Sequence, residues 1–171
     1  MTLSITLIGG PTALIEIDGF RLLTDPTFDP PGAYQLPHVK LEKLAGPALT
    51  PDKIGNVDAV LLSHDQHADN LDDSGKEFLK VAKRVLTTQA GAKRLGGHVE
   101  GFAPWATTTL SGKDGSSLTV TATPAMPSNR PATLCQVNAS PRNSAASAAV
   151  NTGLAETIRP PRPAETDFSP V

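Results

Sequence analysis

The sequence predicts a layered α/β (α+β) fold, and three observations lead to that prediction. Leu3, Ile5 and Leu7 alternate with polar residues, which is the period of a strand with one face on a core. The run 58–63 is almost entirely apolar, as in strands that are buried on both faces. Helical and extended patterns then alternate from residue 74 to residue 102, which favours mixed layers over a helical bundle or an all-strand sandwich.

The first 25 residues predict a meander of three strands. A Gly-Gly-Pro break separates the alternating segment 2–7 from a second apolar segment at 13–17. An Asp-Gly turn signal then leads into a third strand at 21–25. The Pro- and Gly-rich segment 25–51 is predicted as a long loop, and loops of that length in compact domains often shape a functional site.

The same patterns predict the elements that follow. Phe78, Leu79 and Ala82 share one side of a helix, and Trp105 is expected in the core at the start of a strand. The predicted elements are a strand at 58–63, a helix at 74–83, a strand at 84–88, a helix at 90–95, and strands at 99–102, 107–110 and 117–123.

Composition excludes several classes of protein. A net charge of −2 over 171 residues gives no basic face for nucleic acid or an anionic membrane. No apolar run approaches the ~20 residues of a membrane span, and the N-terminus lacks the basic region of a signal peptide. Cys135 is the single cysteine, so a metal would need His, Asp or Glu ligands. We therefore expect a cytoplasmic protein.

Composition also predicts a domain boundary near Met126. The segment 127–171 consists mostly of Pro, Ala, Ser, Asn and Thr, and it holds one aromatic residue, Phe168. Such a segment has too little apolar surface to offset the entropy of an ordered backbone. The prediction is a folded domain over 1–126 and a low-complexity, largely disordered tail over 127–171.

The candidate site follows the apolar strand at 58–63. Ligands favour the carboxyl ends of strands in open α/β sheets, because the loops there converge. His64 and His67 offer imidazole nitrogens, and Asp65 and Asp69 offer carboxylate oxygens, the ligand types that Zn²⁺ accepts. The alternative is a solvated loop in which an aspartate, Asp69 or Asp72, caps the next helix.

Two stretches resemble one known family. "SHDQHADNLD" is similar to the His-x-His-x-Asp-His metal loop of the metallo-β-lactamase-fold (MBL-fold) hydrolases, and "LIGGPTALIEIDGFRLLTDPTFDPPG" is similar to the opening of one bacterial branch. The resemblance covers residues 1 to about 126. It implies the N-terminal half of an αββα sandwich that holds one or two zinc ions, with manganese or iron as alternatives.

The resemblance assigns roles residue by residue. It implies metal ligation by His64, His67 and Asp69, with Asp65 where the family has its first histidine. In the catalytic role, Asp69 would bind a second metal or hold the attacking hydroxide. Asp25 and Asn70 would support the ligands from behind, although Asn70 stands where the family has a histidine, as Gln66 does when the motif is started at His64.

The resemblance ends abruptly between Met126 and Pro127, where the family continues with a histidine. A reading-frame shift is one hypothesis for this change, and resequencing the gene across these codons tests it.

Two functions follow as expectations. The first is a metal-dependent hydrolase acting on a small-molecule substrate that contains an ester, lactone, amide or phosphodiester. The second is a non-catalytic fragment or a binding module without a functional metal site. Because half of the fold is absent, we also expect the inner face of the first sheet to lie bare and to drive self-association.

Overall fold

The computed structural model describes residues 2–35, 40–124, 133–138 and 149–151. In chain order the elements are β1 (Leu3–Gly9), β2 (Thr12–Ile17), β3 (Phe20–Thr24), β4 (Gly32–Gln35), β5 (Lys40–Lys43), α1 (Pro51–Ile54), β6 (Ala59–Leu61), α2 (Asp73–Val81), β7 (Val85–Thr88), α3 (Gln89–Leu95), β8 (Val99–Phe102), β9 (Thr107–Ser111), β10 (Ser117–Pro124), β11 (Thr133–Asn138) and β12 (Ala149–Asn151).

The main sheet has six strands in the order β1-β2-β3-β6-β7-β8. The first three form the predicted antiparallel meander, and β3, β6, β7 and β8 run parallel. Asp18 and Gly19 join β2 to β3 with φ angles of 45° and 86°. Both angles are positive, as a tight two-residue hairpin requires. The parallel arrangement brings the carboxyl ends of β3, β6 and β7 to one edge.

The outer face of the main sheet packs against helices. Phe78 and Leu79 of α2 join Leu23, Val60 and Val85 in one buried apolar cluster, against which Leu95 of α3 also packs. Asp72 begins α2, because its side chain accepts a hydrogen bond from the Gly75 N–H at 2.8 Å.

The inner face of the main sheet packs against a second sheet, whose strand order is β12-β11-β10-β9. Ile15, Leu22 and Leu61 from the main sheet meet Leu110 and Leu118 from the second sheet in a separate buried cluster. The expectation of a bare inner face is therefore wrong for the central strands. The sequence predicts β9 and β10 as strands, but it does not show that they pack over this face.

The first strand differs from the central ones. Leu3, Ile5 and Leu7 lie on the same face as Ile15 and Ile17, with which Ile5 and Leu3 pair. Their exposed fractions are 46%, 55% and 68%. The cover that the second sheet gives to the centre of the inner face therefore does not extend over β1.

The predicted loop at 25–51 contains structure of its own. β4 and β5 pair as an antiparallel hairpin, and α1 begins at the end of the segment. The prediction that Trp105 lies in the core is also wrong, because this residue is 67% exposed. It sits in the turn before β9 with a φ of 66°, and its N–H donates to the Ala122 carbonyl at 2.6 Å.

The predicted tail is described in part. β11 and β12 fall within 127–171, and β11 pairs with β10 in antiparallel register from Thr119↔Asn138 to Pro124↔Thr133. The rest of that segment lies outside the described residues, so the domain boundary at residue 126 stays a prediction. The fold class itself is confirmed, since helices, main sheet and second sheet form layers of a partial sandwich.

Candidate functional site

The candidate site lies at the carboxyl end of β6. This strand is fully buried between its parallel neighbours β3 and β7, and the Leu62 N–H still donates to the Leu86 carbonyl at 2.9 Å. The chain then leaves the sheet at Ser63, and the loop that follows reaches the start of α2. The sequence predicts a site at this edge of the sheet.

Two imidazoles stand side by side in this loop. The ring centroids of His64 and His67 are 4.9 Å apart and the rings are nearly perpendicular, at 70°. Partial burial, followed by the neighbouring His67, lowers the pKa of His64. His64 is therefore neutral at pH 7, the form in which an imidazole binds a metal.

Asp69 lies beside the second histidine. Its Oδ1 is 3.9 Å from Nδ1 of His67, and both side chains are about half exposed. This separation is too long for a hydrogen bond. Asp69 therefore adds a nearby negative charge to the loop and leaves its oxygens open to solvent.

Asp65 is paired with a residue that the sequence did not single out. Arg94 of α3 binds the Asp65 carboxylate with two hydrogen bonds, from Nε at 2.8 Å and from a terminal nitrogen at 2.5 Å. This pair lowers the pKa of Asp65 and keeps it ionised. The structure therefore gives Asp65 a structural partner in place of a metal.

A buried polar network holds the loop from below. Asp25 is 1% exposed, and its carboxylate accepts a hydrogen bond from the Ser63 N–H at 2.6 Å and another from Asn70 Nδ2 at 3.4 Å. Asn70 Nδ2 also donates to Ser63 Oγ at 3.2 Å. Burial raises the pKa of Asp25 to about 7, although the hydrogen bonds from Ser63 and Asn70 oppose that shift. Asp25 has a φ of 30°, an uncommon backbone angle outside glycine.

Ser63 links this network to the first histidine. Its Oγ lies 3.2 Å from Nδ1 of His64, and its N–H is held by the Asp25 carboxylate. Asn70 Nδ2 donates both to Ser63 Oγ and to Asp25. Asp25 therefore supports the first imidazole of the loop through Ser63 and Asn70.

A second set of acids fixes the long loop to α2. Asp72 Oδ2 accepts a hydrogen bond from the Asp29 N–H at 2.7 Å, and it forms an ion pair with Lys43 Nζ at 3.1 Å. In return, the Asp29 carboxylate accepts from the Ser74 N–H at 2.9 Å and from the Tyr34 hydroxyl at 3.0 Å. The long loop is therefore tied to the start of α2. The alternative role of Asp72 as a helix cap is confirmed.

The donor set fits a metal in part. His64 and His67 are adjacent, Asp69 is close to His67, and Asp25 and Asn70 are buried next to Ser63. Within the described ranges, however, no group of three or more His, Cys, Asp or Glu side chains is arranged to hold a metal ion. Catalytic zinc sites use three protein ligands. Here the two imidazoles are adjacent, but the Asp69 carboxylate is not placed with them as a third ligand.

Sequence reasoning missed Arg94 and the linking role of Ser63. Arg94 lies 29 residues from Asp65, and its only signal in the sequence is a basic residue in the last turn of the helix after the next strand. Ser63 was considered only as a nucleophile and set aside for lack of a Gly-x-Ser-x-Gly setting. Its place directly after a buried strand was the available signal.

No protein-family model matches the chain. Uncharacterized proteins of Mycobacterium tuberculosis and Mycobacterium bovis are 40% identical to it over 77 residues, which is 41% of this chain. The chain spans 18% of the length of these curated relatives. The descriptions of these relatives name no activity.

Solved structures show the fold. An isothiocyanate hydrolase from Delia radicum gut bacteria matches 80% of this chain with a TM-score of 0.60 at 17% identity, over 57% of its own length. A structure described as a possible metal-dependent hydrolase from Veillonella parvula matches 89% with a TM-score of 0.61 at 19% identity, over 62% of its length. A metallo hydrolase from Ignicoccus hospitalis matches 81% with a TM-score of 0.55 at 16% identity, over 57% of its length.

The chain therefore has part of the fold of metal-dependent hydrolases of the metallo-β-lactamase type. At these identities the likeness establishes the fold, and the chemistry has to be argued from this chain's own residues. Among the described residues no helix combines the length and apolar character needed to cross a membrane. The cytoplasmic location stays a prediction.

Proposed function

We propose that this chain carries the metal loop of a metal-dependent hydrolase and binds one divalent ion through His64 and His67, with Asp69 as the third ligand or as the acceptor of a proton from the attacking water. Zinc is the first choice, with manganese or iron as alternatives. The substrate would be a small molecule with an ester, lactone, amide or phosphodiester bond. The observation that supports this most is the link from Asp25, which accepts the Ser63 N–H at 2.6 Å, to His64, whose Nδ1 lies 3.2 Å from Ser63 Oγ.

The residues of this chain would divide the work as follows. Ser63, whose N–H is held by the buried Asp25, would accept the Nδ1–H of His64 at its Oγ and so present Nε2 to the metal. The low pKa of His64 keeps the ring neutral at physiological pH. Asp69, open to solvent beside His67, can accept a proton during attack by water. A divalent ion in such a site supplies an electrophile for the substrate oxygen and makes water nucleophilic near neutral pH.

A second candidate is a non-catalytic fragment with weak metal affinity. One observation favours it. Asp65, at the position where the resemblance expects a metal ligand, is bound by Arg94. On this reading the loop binds a metal through two imidazoles and turns over little or no substrate.

Zinc titration by calorimetry on the full chain tests the proposal, with His67→Ala and His98→Ala compared side by side. His98 is an exposed histidine outside the loop, so it controls for the loss of any imidazole. We expect one zinc per chain, lost in His67→Ala and kept in His98→Ala. Equal binding by the two variants would rule out the loop as the metal site.

Arg94→Gln sharpens the test, because it releases the Asp65 carboxylate toward the loop. We expect it to tighten zinc binding severalfold, whereas Lys93→Gln on the same helix leaves binding unchanged. Hydrolysis of a panel of aryl esters, lactones and phosphodiesters then separates the two candidates. Zinc-dependent turnover lost in His67→Ala supports the hydrolase, and zinc binding without turnover supports the fragment.

A further inference from the structure

The open edge of the main sheet has features that suit another strand. β1 is the first strand in the sheet order and pairs with β2. Within the parts of the chain that the structure describes, no strand pairs with its other side. The loop before α1 contacts the end of β1, where the Ala48 N–H donates a hydrogen bond to the Ile8 carbonyl at 2.7 Å. The edge from Thr2 to Leu7 precedes that contact.

The direction of the backbone groups can be determined from one pair. The Asp18 N–H donates to the Thr2 carbonyl at 3.0 Å, and the Thr2 N–H donates to the Asp18 carboxylate at 2.7 Å. Thr2 therefore directs both backbone groups toward β2. Because this direction alternates along an antiparallel strand, Ser4 and Thr6 do the same. Leu3, Ile5 and Leu7 direct their N–H and C=O groups to the open edge.

The same three residues carry the exposed apolar side chains. Leu3, Ile5 and Leu7 form one row on the inner face, at 46%, 55% and 68% exposure. Residues 2–10 contain no charged residue and no proline. Natural edge strands usually carry such residues to prevent pairing with another chain. Both the backbone and the side chains of β1 are thus suited to strand addition.

We propose that two copies of this chain pair through β1, antiparallel and centred on Ile5. In this register Ile5 faces Ile5 of the second copy, and Leu3 faces Leu7 of the second copy. All three outward-facing residues of each copy then meet an outward-facing partner, which permits six N–H···O=C bonds. Registers centred on Ser4 or Thr6 pair only two outward-facing residues from each copy.

The sequence of the strand is symmetric in the way this pairing needs. Leu-Ser-Ile-Thr-Leu reads almost alike in both directions, so each apolar residue meets an apolar residue and Ser4 meets Thr6. A two-fold axis through the pair of Ile5 residues makes the interface isologous. The six-stranded sheets join into one sheet of twelve, with the two apolar rows side by side. This pairing needs no metal and is independent of the proposed function.

The contact is small. One strand from each copy gives less area than the ~1,600 Å² of a standard stable interface, so we expect a weak dimer with a dissociation constant of about 10–100 µM. Sedimentation of the full chain from about 1 to about 500 µM should show a monomer–dimer equilibrium. Ile5→Lys should abolish the dimer, since it places two ammonium groups opposite each other. Val81→Lys, at a more exposed apolar position on α2 (79% against 55% for Ile5), should leave it intact.

Cross-linking tests the register directly and does not depend on how Ile5→Lys folds. In a Cys135→Ala background, which has no other cysteine, Ile5→Cys should form a disulfide dimer under mild oxidation, because facing residues of a hydrogen-bonded pair lie about 5.5 Å apart at Cα. Leu3→Cys should stay monomeric alone and cross-link when mixed with Leu7→Cys. A monomer at every concentration, or equal cross-linking by Ile5→Cys and Leu3→Cys alone, would overturn the proposal.

Discussion

Replacing Asp25 by asparagine should remove a pH dependence from the stability of the fold. Burial raises the pKa of this carboxyl from 3.8 to about 7, so the folded state binds its proton more tightly than the unfolded state does. The stabilisation is therefore complete below pH 4 and is lost as the pH rises through 7. Three pKa units correspond to about 4 kcal/mol between these limits.

Between pH 5.5 and pH 8.5 the wild type should lose about 2 kcal/mol through this group alone, because part of the 4 kcal/mol is already lost below pH 5.5. Asp25→Asn keeps the shape and the acceptor for the Ser63 N–H, but it carries no charge. The lowered pKa of His64 makes the stability of the fold rise with pH over the same range. This contribution is present in both proteins. The difference between the two proteins thus isolates Asp25.

The assay is urea unfolding followed by circular dichroism at half-unit pH steps, in buffer with a chelator so that no metal contributes. We expect the stability of Asp25→Asn, relative to the wild type, to rise with pH and to level off above pH 7.5. A difference that is flat over the whole range would refute the argument that Asp25 is buried with a raised pKa.

Three further substitutions have calculable effects on stability. Asp72→Ala should cost about 2 kcal/mol or more in urea unfolding, because it removes the cap of α2 and two partners of the long loop, whereas Asp73→Ala should cost less than about 0.5 kcal/mol. Gly75→Ala should cost about 2 kcal/mol or more in the same assay, because its Cβ would lie 2.0 Å from the Pro26 carbonyl oxygen. Leu61→Ala should cost about 3 kcal/mol by thermal or chemical unfolding, since this side chain is fully buried between the two sheets.

Matched controls make these results decisive. Gly32→Ala adds the same methyl group where the nearest atom is 3.8 Å away, so it should be nearly neutral. Leu3→Ala removes the same atoms as Leu61→Ala from a half-exposed position and should cost less than about 1 kcal/mol. Comparable losses in a variant and its control would contradict the packing described above.

Much of the fold was predictable because its elements are strongly patterned. The meander, the buried strand β6 and the strand β8 appear where alternation and apolar runs placed them, and α2 begins within one residue of its predicted start. The hairpin of β4 and β5 was not predictable, because its strands have four residues each and β5 reads Lys-Leu-Glu-Lys. Such short, polar strands owe their pairing to neighbours rather than to periodicity.

The position of the candidate loop was predictable, but its connections were not. The sequence predicted a polar loop after a buried strand, and the structure places it at the carboxyl end of the parallel strand β6. It did not reveal that Asp65 binds Arg94, since that pairing depends on where α3 docks against the sheet. It also did not show that the second sheet covers Leu61 and its neighbours, because single-sequence patterns give the elements and not the face on which they pack.

The reciprocal bonds between Asp29 and Ser74, and between Asp72 and Asp29, have a consequence for how this fold can diverge. The anchors lie at the start of the long loop and at the start of α2, 43 residues apart in the chain. Apart from Tyr34 and Lys43, which bind these acids, the described side chains between residues 30 and 50 can change without loosening the loop from the helix. A lineage that keeps these contacts can therefore remodel the loop at little risk to folding.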